Sequence, residues 1–143
     1  MSLLSRPKHT KGSCYQKITP KSANWDYVGF EAHDLNEMEI LDWKDQENES
    51  CLVILSGLAN IIVDDEEFLN IGERMSVFDD LNPHAIYVPN NKQIKVTALT
   101  KLELAIAVAP GFGNFPARHI KPDDMDSEVR GEEDSLTNFL KGF

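Results

Sequence analysis

Four histidines, His9, His33, His84 and His119, are the side chains of this sequence best suited to proton transfer or metal ligation near neutral pH. They lie in separate segments with neither H-x-H nor H-x3-H spacing, so a metal cluster among them requires the fold to bring three together. Ordinary surface or partly buried histidines are the expectation, and no metal ligand is assigned. His84 follows Pro83 and reads first as structural, with a hydrogen bond to a ligand hydroxyl as its functional alternative. Arg118, in GNFPARHIKP, carries a guanidinium that can grip a carboxylate through two parallel hydrogen bonds. Its competing role is a structural salt bridge to one of the 24 acidic residues. Cys14 and Cys51 are far apart and neither belongs to a C-x-x-C pair, so no disulfide framework or zinc knuckle follows. No G-x-S-x-G elbow supports a hydrolase, and the glycines around Gly111 and Gly113 lack the Lys-Ser/Thr of a phosphate loop.

These residues need a scaffold, and 143 residues suffice for one domain with a proper core. Lys plus Arg number 14 against 24 Asp plus Glu, a net charge of −10. Such a chain repels phosphate backbones and anionic bilayers, which argues against nucleic acid or membrane as the main partner. The opening MSLLSRPKHTKGS is basic without the apolar core of a signal peptide, and no apolar run approaches the roughly 20 residues of a membrane span. The cytoplasm is the default expectation.

Short β-prone runs punctuated by Gly, Asp, Asn and Pro organise the chain: DYVGFEAH, NEMEILDW, CLVILS, LANIIV, MSVF, HAIYVP, QIKVTAL and LELAIAVA. No sustained helical period appears before the tail, so the expected class is all-β, a sandwich or barrel. Ile94, Val96 and Ala98 share one face of their strand, and Leu102, Leu104, Ile106 and Val108 share one face of theirs. CLVIL lacks alternation and is predicted to be a central strand buried on both faces, or one packed on another subunit. YVPNNKQIKV predicts a strand, a tight turn and a return strand. Trp25, Tyr27 and Phe30 are predicted to serve a core or dimer interface in preference to sugar stacking. In GERMSVF, Gly72 permits a turn, Met75, Val77 and Phe78 are predicted to supply apolar contacts, and Glu73 with Arg74 to pair locally or across an interface.

Short strands, a strand ending in L-S-G and a later proline turn resemble a cupin, the double-stranded β-helix or jelly-roll barrel whose metal ligands come from two motifs. With Gly57 as the closing glycine of the first motif, its glutamate falls at Ser50 and its histidine pair within Trp43 to Gln46. With Pro89 as the proline of the second, its histidine falls at Ile94. An inward Ile where a ligand belongs fills the volume with hydrocarbon, so the interior is expected to be a packed core or apolar pocket.

ITPKSANWDYVGFEAHDL, CLVILSGLANIIVDD, IGERMSVFDDLNPHAIYVP and APGFGNFPARHIKPDDMDSEVRG more closely resemble the amino-terminal half of the bacterial 5-deoxy-glucuronate isomerases of inositol catabolism. The resemblance runs from about Leu3 to Gly131 and implies a single cupin domain over 1–131, with a divergent tail over 132–143. It also implies two-barrel relatives whose divalent metal sits in the second barrel. This chain is then expected to hold no cofactor of its own and not to be catalytic alone. Its partner would be a second cupin barrel or another copy of itself. Arg118 and His84 are its candidate contacts to a small sugar acid, and Gly111, Gly113 and Pro116 shape a connector towards a partner barrel. The alternatives are a non-catalytic sugar-acid-binding module and a dimerising module. The tail EEDSLTNFLKGF reads either as the end of a truncated or frame-altered product or as a genuine short form.

Overall fold

The computed structural model describes residues 4–7, 12–130 and 138–141, with 127–130 and 138–141 described as backbone. A six-stranded antiparallel sheet is ordered β1 (Cys14–Ile18), β2 (Gly29–Leu35), β9 (Leu102–Pro110), β4 (Asn48–Ser56), β7 (Ala85–Val88), β10 (Arg118–Ile120). A four-stranded antiparallel sheet is ordered β3 (Ile40–Asp45), β8 (Lys92–Ala98), β5 (Ala59–Val63), β6 (Glu66–Ile71). A separate ribbon pairs β11 (Ser127–Arg130) with β12 (Asn138–Lys141), so part of the tail continues the β architecture. The only regular helices among the described residues are the short turns Pro20–Ala23 and Pro122–Asp124. The two main ladders do not join into one closed barrel; they form an open jelly-roll sandwich.

Alternation decides what lies between the sheets. Leu52 and Ile54 of β4, Ile86 and Val88 of β7, and Leu102, Leu104 and Ile106 of β9 meet Ile61 and Val63 of β5 and Ile94 and Val96 of β8 in one cluster. The expected inward faces of β8 and β9 are therefore present, although Val108 is only partly buried. CLVIL departs from its predicted double-sided burial. It is central in its sheet, but Ser50, Leu52 and Ile54 are buried while Cys51, Val53 and Leu55 are only half-covered. Its unbroken apolar sequence hides a real two-residue period because its outer face is partly sheltered as well.

YVPNNKQIKV is not a hairpin. β7 belongs to the six-stranded sheet and β8 to the other, so the turn carries the chain across the sandwich, with Asn91 at φ 59° and its N–H donating to Asp45 O. The links β2 to β3, β3 to β4, β4 to β5, β6 to β7 and β8 to β9 also change sheet, whereas Asp64 and Asp65 close the simple hairpin β5–β6. At the β4–β5 crossing Gly57 has φ 97°, and a Cβ there would stand 2.2 Å from Lys101 O. Only glycine fits that left-handed, close-packed position.

MSVF forms no strand; it lies in the long link from Ile71 to Ala85. Met75, Val77 and Phe78 are exposed, Phe78 at 93%, so the predicted apolar contacts are not made. Arg74 secures this link by donating from Nε to Leu55 O at 2.7 Å and from Nη1 to Leu81 O at 3.1 Å. It does not pair with Glu73. Trp25 and Tyr27 are exposed and Phe30 is only partly buried, so this aromatic group is not part of the core. After Gly111 to Ala117 the chain returns to pair β10 with β7, so this connector serves the chain's own sheet.

Candidate functional site

The inner face of the six-stranded sheet carries two polar clusters, at opposite edges. The first is built by β1 and β2. Glu31, His33 and Leu35 alternate onto one face of β2, and Leu35 belongs to the core, so this face looks into the sandwich. Trp43, reaching across from β3, donates its indole N–H to Glu31 Oε2 at 3.1 Å. Lys17, opposite Glu31 in the β1–β2 ladder, puts Nζ 2.6 Å from Oε1. His33 Nε2 lies 3.0 Å from Glu31 Oε2, and its Nδ1 lies 3.0 Å from Ser13 Oγ. The bonds from His33, Lys17 and Trp43 stabilise the ionised form and hold the Glu31 carboxyl at about 2, against a usual value of 4.5, despite the opposing effect of burial.

A β-bulge completes this cluster. β1 pairs regularly with β2 from Gln16 to Ile18, and a register shift before Gln16 then sets Cys14 opposite His33. An unbroken ladder would have put Tyr15 there. The bulge therefore turns the Cys14 thiol onto the face of His33 and Glu31. One donor atom from each of Cys14, Glu31 and His33 lies within 4.8 Å of the other two. Burial, followed by the Glu31 charge, pushes the Cys14 thiol up from its usual value.

The second cluster lies at the β7–β10 edge. His119 pairs with Ile86 across this ladder, and its Nε2 lies 2.9 Å from His84 Nδ1, with the rings 21° from coplanar. His84 Nε2 lies 3.2 Å from Glu73 Oε2. Burial first, and then the neighbouring His84, lower the pKa of His119 below the usual 6.5. The fold thus joins two of the four separated histidines, leaves His33 in the other cluster, and His9 lies outside the described residues.

Arg118 and His84 do not form one site. Arg118 pairs with Tyr87 while its neighbour His119 pairs with Ile86, so the Arg118 side chain occupies the outer face of the β7–β10 ribbon. It is exposed and makes no ion pair among the described residues. His84 has both ring nitrogens engaged, by His119 and by Glu73. Neither Glu31 nor Cys14 was picked out from the sequence. The available signal was E-x-H within GFEAHDL, two positions apart on a strand that alternates.

The positions expected to hold cupin ligands do not fit a metal. Ile94 is 0% exposed within the hydrocarbon cluster, Ser50 is buried, and Trp43 engages Glu31 through its indole. Ile94, Ser50 and Trp43 offer neither the imidazole nor the carboxylate that a divalent cation requires, and Asp45, the one carboxylate within Trp43 to Gln46, accepts hydrogen bonds from Glu47 and Asn48. Neither cysteine is disulfide-bonded, and burial on the central strand pushes the Cys51 thiol up to about 11. Among the described residues no helix is long and apolar enough to cross a membrane.

Residues 3–137 match the KduI/IolB family. The 5-deoxy-glucuronate isomerase of Geobacillus thermodenitrificans is 47% identical over 115 residues, covering 80% of this chain and 42% of that protein. The 5-deoxy-glucuronate isomerase of Geobacillus kaustophilus is 41% identical over 134 residues, covering 92% and 48%. The chain spans about half the length of these curated relatives. Among solved structures, an IolB-like protein from Salmonella typhimurium LT2 superposes with a TM-score of 0.91 at 38% identity, covering 99% of this chain and 53% of that one. A cupin protein from Bacteroides fragilis, at 13% identity and a TM-score of 0.51, is similar in fold alone.

Proposed function

The chain belongs to the KduI/IolB family, and we propose that it serves as the amino-terminal half of a 5-deoxy-glucuronate isomerase of inositol catabolism, not catalytic by itself. Moving a carbonyl between C1 and C2 of an aldose acid needs a polarised carbonyl and a base that passes a proton between adjacent carbons. In the proposed assembly these come from a second barrel that holds a divalent metal. The observation that carries the reading is Ile94: a sealed hydrocarbon side chain occupies the position where a catalytic cupin would need a ligand.

On this reading the sandwich supplies packing and stability, and its partner is the second cupin barrel or another copy of the chain in a bacterial cytoplasm. Arg118 contributes most directly to ligand capture. Its guanidinium is exposed and outside any ion pair among the described residues, which suits the carboxylate of a sugar acid. His84 is a hydroxyl contact for a separate ligand position, because it occupies the other face of the ribbon.

The test is an aldose-to-ketose assay with 5-deoxy-glucuronate, run on the purified chain and on the chain mixed with the carboxy-terminal half of the Geobacillus thermodenitrificans relative. The expected result is no conversion by the chain alone, with conversion and co-elution once the second half is added. Turnover by the chain alone would overturn the proposal, as would a second half that gains neither activity nor stability from it.

A further inference from the structure

Beyond the isomerase reading, and independent of it, we propose that Cys14, Glu31 and His33 form a binding site for a thiophilic divalent cation, zinc by its ligand chemistry, on the inner face of the β1–β2 edge.

The donor set is one thiolate sulfur, one imidazole nitrogen and one carboxylate oxygen, the mixture that suits zinc over magnesium or calcium. Tetrahedral zinc, with ligand bonds of about 2.0 to 2.3 Å, holds its donor atoms roughly 3.3 to 3.6 Å apart. The three donor atoms lie within 4.8 Å of one another, and His33 Nε2 and Glu31 Oε2 are 3.0 Å apart, so side-chain adjustments alone bring them to a common centre. The backbone already supplies the platform. Glu31 and His33 share a strand face by alternation, and the bulge brings Cys14 into register with His33.

The surrounding groups fit this role. Ser13 Oγ, 3.0 Å from His33 Nδ1, can accept a proton-bearing Nδ1 and so leave the Nε2 lone pair for the cation, an orientation common to zinc-bound histidines. A ring that instead carries its proton on Nε2 donates to Glu31 Oε2, 3.0 Å away, and has no lone pair there for a cation. Binding selects the tautomer with its proton on Nδ1 and releases the Cys14 thiol proton to water, so cation uptake is proton-coupled. Lys17 holds Glu31 Oε1, the oxygen not needed as a ligand, and its side chain is 62% exposed, free to withdraw into solvent as the cation arrives. The fourth position falls to water. The consequence is a clamp that ties the edge strand β1 to β2.

Chelator-treated chain is titrated with cobalt(II) and followed for sulfur-to-cobalt charge transfer in the near ultraviolet. In parallel, zinc-loaded chain is dialysed and its metal content measured by elemental analysis. The expected outcome is a charge-transfer band and about one zinc retained per chain. Cys14→Ser and His33→Gln should abolish the band and weaken retention at least tenfold, whereas Cys51→Ser, altering the thiol of the central strand, should change neither. Absence of the band in the unaltered chain, or its loss in Cys51→Ser instead of Cys14→Ser, would overturn the proposal. Should Cys14→Ser or His33→Gln not fold, alkylation of the unaltered chain decides. Zinc must protect Cys14 relative to Cys51 when the modified peptides are weighed, and equal protection of both counts against the site.

Discussion

Ile94 and His33 face into the same space between the two sheets, yet their neighbourhoods differ in kind. Ile94 belongs to a continuous hydrocarbon cluster, and its partner across the β3–β8 ladder, Trp43, packs on that cluster while turning its indole N–H to Glu31. His33, 3% exposed, is just as enclosed, but Ser13 and Glu31 engage its two ring nitrogens, and Lys17 and Trp43 engage Glu31 in turn. Burial alone therefore does not set the chemistry of this interior. A polar group persists where each of its atoms finds a partner, and elsewhere the space is filled with methyl and methylene groups. Of the positions that would carry a cupin metal, Ile94 falls on the hydrocarbon side of this division, while Trp43 lends its indole N–H to the polar cluster that holds the candidate cation site.

The most severe way to blur that division is Ile94→His, which places an imidazole among hydrocarbons without a partner. A stability loss of about 3 to 5 kcal/mol is expected, from lost packing and an unsatisfied polar group. Urea denaturation measures it, and a loss under 1 kcal/mol would mean the centre is more polar or hydrated than it looks.

Glu31→Gln attacks the other side. It removes the charge that organises Lys17, His33 and Trp43 and should cost about 1 to 3 kcal/mol at neutral pH. It should also change the acid limb of the stability curve. The Glu31 carboxyl lies at about 2 when folded against 4.5 ordinarily, so the unfolded chain binds more protons between those values. The parent chain should lose this contribution as pH falls from about 4.5 towards 2, and Glu31→Gln should lack that part of the decline.

The histidine pair sharpens the comparison at a different pH. The pKa of His119 is depressed by burial and by His84, so protonation favours the unfolded chain. Stability should fall as pH drops below 6.5, and His119→Gln should flatten that segment while leaving the lower, Glu31-dependent segment intact. Thermal melts in buffers spanning both windows separate the two. The smallest effect is expected at Arg118, which is exposed and outside the interior altogether. Arg118→Ala should shift stability by less than about 0.5 kcal/mol, while reducing any saturable rise in melting temperature that glucuronate produces in the parent chain.

The division between these regions was legible in the sequence only on its hydrocarbon side. Ile94, Val96, Leu102, Leu104 and Ile106 declared themselves by alternation, because each occupies every second position of a strand with one buried face. Other features depended on partners distant in sequence. Pro89 to Asn91 marks a reversal, but nothing local specifies whether the next strand joins the same sheet or the opposite one. MSVF has β propensity without a strand to pair with, because Arg74 anchors its link to the carbonyls of Leu55 and Leu81. The polar cluster was least visible of all. Its thiol is aimed by a bulge, which exists only as a mismatch between two strands, and its histidine and glutamate carry no motif spacing beyond E-x-H.

The pairing of β2 with β9 also sets a timetable for the molecule. Gly29 must wait for Val108, and Leu35 for Leu102, so a strand made early stays without its inner neighbour through most of synthesis. Until that late strand arrives, Glu31 and His33 have only β1 beside them, a two-stranded ribbon too small to persist in water. Folding should accordingly be slow and governed by distant contacts, with the sandwich closing in a single late event once β9 slots between β2 and β4.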